Sequence, residues 1–144
     1  MHSIVDQVLV NYTDAFHLKG ITLEKNIPTG LRICADPNAF KIALRNIIDN
    51  AIKFTQDGGL ITIQAAIYEN KAELVIKDNG IGIKKEALER LFDFGNDTRQ
   101  KDTYGRTSTG LGLELCKIMA EKNGGELVLE SEEGIGTSVR ITFE

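Results

Sequence analysis

The chain has 144 residues, enough for one domain with a core of its own. Its 42% hydrophobic and 26% charged content suits an ordinary globular protein. A net charge of −4 argues against nucleic acid or an anionic membrane as the main partner, and no apolar run approaches the roughly 20 residues of a transmembrane helix.

No signal peptide is visible. Met1-His2 is compatible with an expression remnant on an excised piece of a longer protein. Cys34 and Cys116 show no metal-type spacing and have no histidine nearby, so both are expected to be buried free thiols in a reducing compartment. His2 and His17 stand alone, which predicts surface or capping roles.

Taken in order, apolar residues at Ile4, Val5, Val8, Leu9, Tyr12, Ala15 and Phe16 predict a helix over 3–18, ended by Gly20 at C′. Residues 21–27 and 31–35 read as strands around a Pro28-Thr29-Gly30 turn. Asp36-Pro37 supplies an N-cap and an N1 proline for a helix over 37–55. Residues 60–68 and 72–77 form a hairpin about Glu69-Asn70-Lys71, broken sharply by Asp78-Asn79-Gly80. A short helix follows over 84–92. Residues 95–109 are polar and apolar-poor, which predicts a mobile loop. The next helix, 110–122, is expected to turn Leu111, Leu115, Ile118 and Met119 inward and to be capped by Asn123-Gly124-Gly125. Strands 126–131 and 137–143 close the chain. Short turns between strand pairs mean antiparallel neighbours. The predicted fold class is therefore an α/β two-layer sandwich, a mixed, largely antiparallel sheet with helices on one face.

Four stretches bear on function. Residues 44–55 read L-R-N-I-I-D-N-A-I-K-F-T, with Asn46, Asn50 and Lys53 at i, i+4, i+7. On a helix these three share a stripe of about 60°. Two carboxamides and an ammonium in line suit a magnesium–polyphosphate ligand, the amide oxygens meeting the metal and the ammonium a phosphate. A solvated face is the alternative, and Arg45, Asp49 and Lys53 also have the spacing of surface ion pairs. Asp78-x-Gly80-x-Gly82 lets the backbone turn tightly beside a flat ligand, with a carboxylate placed to accept from an adenine amino group, or it is simply a turn. Thr109-Gly110-Leu111-Gly112-Leu113 opens a helix whose free N–H groups face an anion, or its glycines relieve crowding. It is no P-loop, since no Gly-Lys-Ser/Thr follows, and the Gly80–Gly82 pair lacks the third glycine of a dinucleotide fingerprint. Gly134-x-Gly136-Thr137 is a hairpin turn whose threonine holds a water or shares an adenine contact with Asp78, if it is more than a turn.

In this order the stretches resemble the ATP-binding catalytic domain of sensor histidine kinases, the GHKL superfamily with the Bergerat fold. Residues 44–55 are similar to its N box, 75–83 (V-I-K-D-N-G-I-G-I) to its first glycine box, 91–94 to its F box and 107–113 (T-S-T-G-L-G-L) to its second. The likeness covers residues 31–143. It implies ATP and Mg²⁺ as ligands, with Asn50 coordinating the metal, Asn46 supporting it and Lys53 reaching a phosphate. Phe54 would pack by the adenine, Asp78 would read its amino group together with Thr137, and Gly80, Gly82 and Ile83 would shape the pocket. Thr109, Gly110, Leu111, Gly112 and Leu113 would cradle the triphosphate, and residues 95–109 would be the ATP lid.

The family's usual lid cation is diluted here, leaving Arg99, Lys101 and Arg106 as candidates. Relatives that hydrolyse ATP, such as gyrase, MutL and the heat-shock chaperone, carry a glutamate four residues before the metal-binding asparagine. This chain has Asn46 there, and a carboxamide is no general base. The resemblance thus implies a two-component signalling kinase's catalytic domain, cytoplasmic in location even if its parent is membrane-anchored. Its partners would be a separate acceptor-histidine dimerisation domain and, indirectly, a response regulator. Neither His2 nor His17 has the acidic residue that follows the family's acceptor histidine. The alternatives are a nucleotide-responsive binding module without transfer activity and, less favoured, a GHKL-type ATPase.

Overall fold

A computed structural model describes residues 1–89 and 112–144. The predicted N-terminal helix is two helices, α1 (His2–Val10) and α2 (Thr13–Lys19). Asn11, Tyr12 and Thr13 are consecutive middling helix formers. The break closes with short-range bonds, Asn11 N to Val8 O and Tyr12 N to Leu9 O. Gly20 ends α2 at φ 62°, as its position predicts. Strand β1 (Thr22–Asn26) follows.

Residues 31–35, expected as a second strand, join no sheet. Leu31 is buried, but its carbonyl accepts from the Met1 ammonium at 3.0 Å, so the stretch is held by packing and that bond rather than by a ladder. Cys34, expected to be buried, is exposed there, while Cys116 is buried as expected.

Helix α3 (Pro37–Phe54) begins where Asp36 Oδ1 accepts from Asn38 N at 3.0 Å. Strands β2 (Leu60–Tyr68) and β3 (Lys71–Asp78) form a hairpin whose turn residues Glu69 and Asn70 both have positive φ. Helix α4 (Lys85–Glu89) keeps part of the predicted 84–92 helix; the rest of that helix lies outside the described residues. Helix α5 (Gly112–Lys122) and strands β4 (Leu127–Glu132) and β5 (Gly136–Phe143) complete the described chain.

The described strands form one mixed sheet in the order β1-β2-β3-β5-β4. β1 runs parallel to β2 and every other pair is antiparallel. The two parallel strands are joined through α3, the kind of long crossover that a parallel pair requires. The helices lie on one face, and the core sits between layers. Phe40, Leu44 and Ile48 of α3 meet Ile61 and Ile63 of β2, Leu74 of β3 and Ile141 and Phe143 of β5, all essentially without solvent contact. The Phe40 and Phe143 rings pack edge to face, 5.5 Å between centroids.

On α5 the buried face differs from the expected one. Leu113, Cys116, Met119 and Ala120 are buried, whereas Leu115 and Ile118 are 55% and 40% exposed. The apolar stripe that meets α3 and the sheet runs through positions 113, 116 and 120, which leaves 115 and 118 on the far side.

Candidate functional site

The register of β3 and β5 sets Asp78 opposite Thr137. Asp78 is 6% exposed, and its Oδ1 accepts from Gly80 N at 2.9 Å and Thr137 N at 3.3 Å. Its other oxygen makes no hydrogen bond to any described residue. Burial pushes this carboxyl up to about 6, against the pull of the two backbone N–H groups.

The loop after Asp78 is pressed onto the end of α3. Ile81 N donates to Phe54 O at 2.9 Å, and a Cβ on Gly80 would stand 2.0 Å from that same carbonyl oxygen. Only glycine allows this approach. Gly82 carries a φ of +70°, and a Cβ there would strike Glu132 O at 2.1 Å. The two glycines thus seat the loop between α3 and the β4–β5 hairpin and fix one wall of the site through backbone contacts.

Two polar residues not singled out from the sequence complete this wall. Ser131 Oγ accepts from Ile83 N at 2.8 Å, lies 2.8 Å from Thr137 Oγ1 and donates to Gly136 O at 3.0 Å. With its one proton given to Gly136 O, it accepts from Ile83 N and from the Thr137 hydroxyl, and so ties the loop, the hairpin turn and Thr137 together. A serine continuing the alternation of the inward-facing Leu127 and Leu129, two residues past the latter, was the available signal. Asn79 closes the start of β2, accepting from Leu60 N at 2.8 Å through Oδ1 while its own N donates to Leu60 O at 3.2 Å.

The opposite wall is α3. Asn46, Asn50 and Lys53 are each half-buried along it, as is Phe54 at its end. Asn46 lies near the buried Cys116 thiol of α5, whose Sγ donates to Ala43 O at 3.4 Å. Burial pushes that thiol up to about 12, so it stays protonated and inert, with the nearby Asn46 opposing the shift only in part. Leu113 and Ile83 are buried. Gly112 opens α5.

The structure thus brings Asp78, Gly80, Gly82, Ile83 and Thr137 together against the α3 end that carries Lys53 and Phe54. It also packs α5 against α3, with Cys116 near Asn46. Thr109, Gly110 and Leu111, the candidate cations Arg99, Lys101 and Arg106, the F-box stretch and the loop expected over 95–109 lie outside the described residues. Among the described residues no group of three or more histidine, cysteine or acidic side chains forms a metal site. A cavity of about 510 Å³ between α1, α2 and β1, lined by Leu9, Phe16 and Leu23 among others, contains none of the predicted site residues.

Residues 35–144 match the profile of the histidine kinase-, DNA gyrase B-, and HSP90-like ATPase family. The chain belongs to this family. Within it, the chain is 39% identical over 126 residues to the histidine protein kinase DivJ of Caulobacter vibrioides, covering 85% of this chain and 20% of that one. It is 32% identical over 139 residues to the sensor protein SrrB of Staphylococcus aureus, covering 96% of this chain and 24% of SrrB. It spans only about a fifth to a quarter of the length of such relatives. The catalytic domain of histidine kinase ThkA superposes with a TM-score of 0.83 at 26% identity, covering 99% of this chain and 91% of that domain. The mycobacterial sensor histidine kinase MprB superposes at 0.79 and 25% identity, covering 99% of this chain and 94% of that one. The predicted GHKL membership and the two-layer fold are both borne out. No helix among the described residues is long and apolar enough to cross a membrane.

Proposed function

We propose that this chain binds Mg-ATP between α3 and the Asp78 loop and donates the γ-phosphoryl group to a histidine on a separate dimerisation domain. The observation that carries this reading is Asp78: a buried carboxylate held by two backbone N–H groups, with its second oxygen left over beside the end of α3. Such an oxygen suits the amino group of an adenine. Asp78 reads the base, Ile83 and Phe54 flank it, and Thr137, oriented by Ser131, holds the same edge.

At the phosphate end the donor set fits a magnesium ion that arrives with the triphosphate. Such an ion takes phosphate and water oxygens and one or two protein oxygens, with no need of an acidic cage. Asn50 offers one carboxamide oxygen on the α3 stripe, and Asn46 supports it one turn earlier. When bound, the metal neutralises charge on the β- and γ-phosphates. Lys53 adds a cation one turn further along, and the first turn of α5 offers N–H groups to the phosphates.

Asn46 decides between transfer and hydrolysis. A carboxamide takes no proton from water near neutral pH, so the site holds ATP until the acceptor imidazole approaches. Catalysis is then positioning and charge neutralisation. Leu115 and Ile118, exposed on the outer face of α5, and Ile42, exposed on α3, offer apolar surface to the arriving acceptor domain.

The test is label transfer from γ-labelled ATP. The chain alone should acquire no label and release phosphate only slowly; mixed with the histidine-bearing domain of its parent, it should label that domain. Labelling of the isolated chain would refute the division of labour. Rapid phosphate release would establish an ATPase, and ATP binding without transfer to the acceptor a nucleotide-responsive module.

A further inference from the structure

The last turn of α3 carries Lys53 and Phe54, and something must satisfy its free carbonyls. Ala51 O accepts from Thr55 N and Phe54 O from Ile81 N. The carbonyls of Ile52 and Thr55 are taken by a residue far away in sequence. Lys19, the last residue of α2, is 5% exposed, and its Nζ donates to Ile52 O and to Thr55 O, each at 2.7 Å. Thr55 itself is fully buried. An ammonium thus stands at the negative end of the α3 dipole, where a cation is most favourable. Backbone bonds continue the junction: Gly58 N to Lys19 O at 2.8 Å and Thr22 N to Gly59 O at 2.9 Å.

We propose that Lys19 is a positioning residue for nucleotide binding, an ammonium clamp that fixes the C-terminal turn of α3 so that Lys53 and Phe54 face the nucleotide. The turn is gripped from two sides. The Asp78 loop holds Phe54 O on one side, and Lys19 holds Ile52 O and Thr55 O on the other. Lys19 lies outside residues 35–144, which define the family in this chain. The segment carrying α1 and α2 therefore contributes to the site, although none of its side chains is among those assigned to the ligand. With Lys19 gone, two carbonyls of a buried turn lose a charged donor, and the turn is free to move away from the Asp78 loop.

The inference rests on the nucleotide site proposed above, and the experiment keeps the two apart. ATP is titrated into the whole chain, the Lys19→Met, Lys19→Gln and Lys19→Arg variants, and Phe16→Leu, a buried packing change in the same helix that leaves the clamp intact. Each is measured well below its melting temperature. Lys19→Met should weaken ATP by about tenfold or more, and Lys19→Arg should recover to within about threefold. Phe16→Leu should lower the melting temperature without moving Kd by more than about twofold. Should Lys19→Met not fold, Lys19→Gln, which keeps two donors without the charge, should lose about three- to tenfold. Wild-type affinity in the Met variant, or in the Gln variant if only that folds, would overturn the clamp. So would a loss in Phe16→Leu equal to that in Lys19→Met. A parent chain that binds no ATP would instead sink the nucleotide reading itself.

Discussion

Around Asp78 the candidate site is held by backbone. Gly80 N, Ile81 N, Ile83 N and Thr137 N all have fixed partners, and Phe54 O lies where any side chain on residue 80 would stand. Along α3 it is formed by side chains projecting from one helix face, Asn46, Asn50 and Lys53. One end is a rigid seat whose shape depends on glycines. The other is a row of adjustable donors whose value depends on what they meet. A base is flat and constant, while a metal-bound triphosphate changes its geometry during transfer. The division suits a site that must hold one end of its ligand still and let the other react.

Substitutions at the two ends should therefore fail differently. Asn50→Ala removes the proposed metal ligand without touching the core. It should weaken Mg-ATP by more than the roughly 10–100-fold typical of residues that only support a ligand, while ATP measured with the metal chelated should change little. Equal losses with and without magnesium would remove Asn50 from the metal.

Asp78→Asn should act on the base end and independently of magnesium. Losing a charge-assisted acceptor costs roughly 1.5–3 kcal/mol, or about ten- to hundredfold in affinity. Competition between ATP and GTP reads this directly, because the preference for adenine should shrink with the affinity.

Gly80→Ala strikes the seat itself. Its Cβ meets a backbone oxygen that cannot rotate away, so the loop and the α3 end must part, at about 1–3 kcal/mol of stability. Thermal unfolding should show that loss even without nucleotide, in contrast to Asn50→Ala.

The smallest effect is on pH. Asp78 titrates near 6 in the fold against 3.8 for an ordinary aspartate, so folding favours its protonated form. Its contribution to stability is fully present below about pH 4 and is lost as pH rises through about 6. The proposed adenine contact needs the ionised form and runs the other way. Between pH 7.5 and 5.5 ATP affinity should fall by roughly fourfold, while the free chain gains stability from this group. Asp78→Asn, measured alongside, should lose both trends and account for titration of the nucleotide's own phosphates.

Much of this was legible in the sequence because the local signals agreed. The Asp36-Pro37 start of α3, the β2–β3 turn and the alternation in β5 each have one physical solution. Residues 31–35 misled because Leu31 and Ile33 alternate like a strand, yet strand formation needs a neighbouring edge and apolar alternation cannot reveal one. Leu115 and Ile118 misled because α5 offers more apolar residues than one face can bury. Ser131 and Lys19 were hidden for a different reason. Their partners lie at Ile83 and Thr137, and at Ile52 and Thr55, and only the folded register brings them together.

The proposed function requires a magnesium-dependent adenine nucleotide site between α3 and the Asp78 loop. Titrating ATP calorimetrically into the unmodified chain, with magnesium and then with chelator, tests it most directly. One ATP per chain is expected, bound more tightly with magnesium, with a loss of about ten- to hundredfold in Asp78→Asn. No binding heat under either condition, or binding indifferent to both magnesium and Asp78, would contradict it.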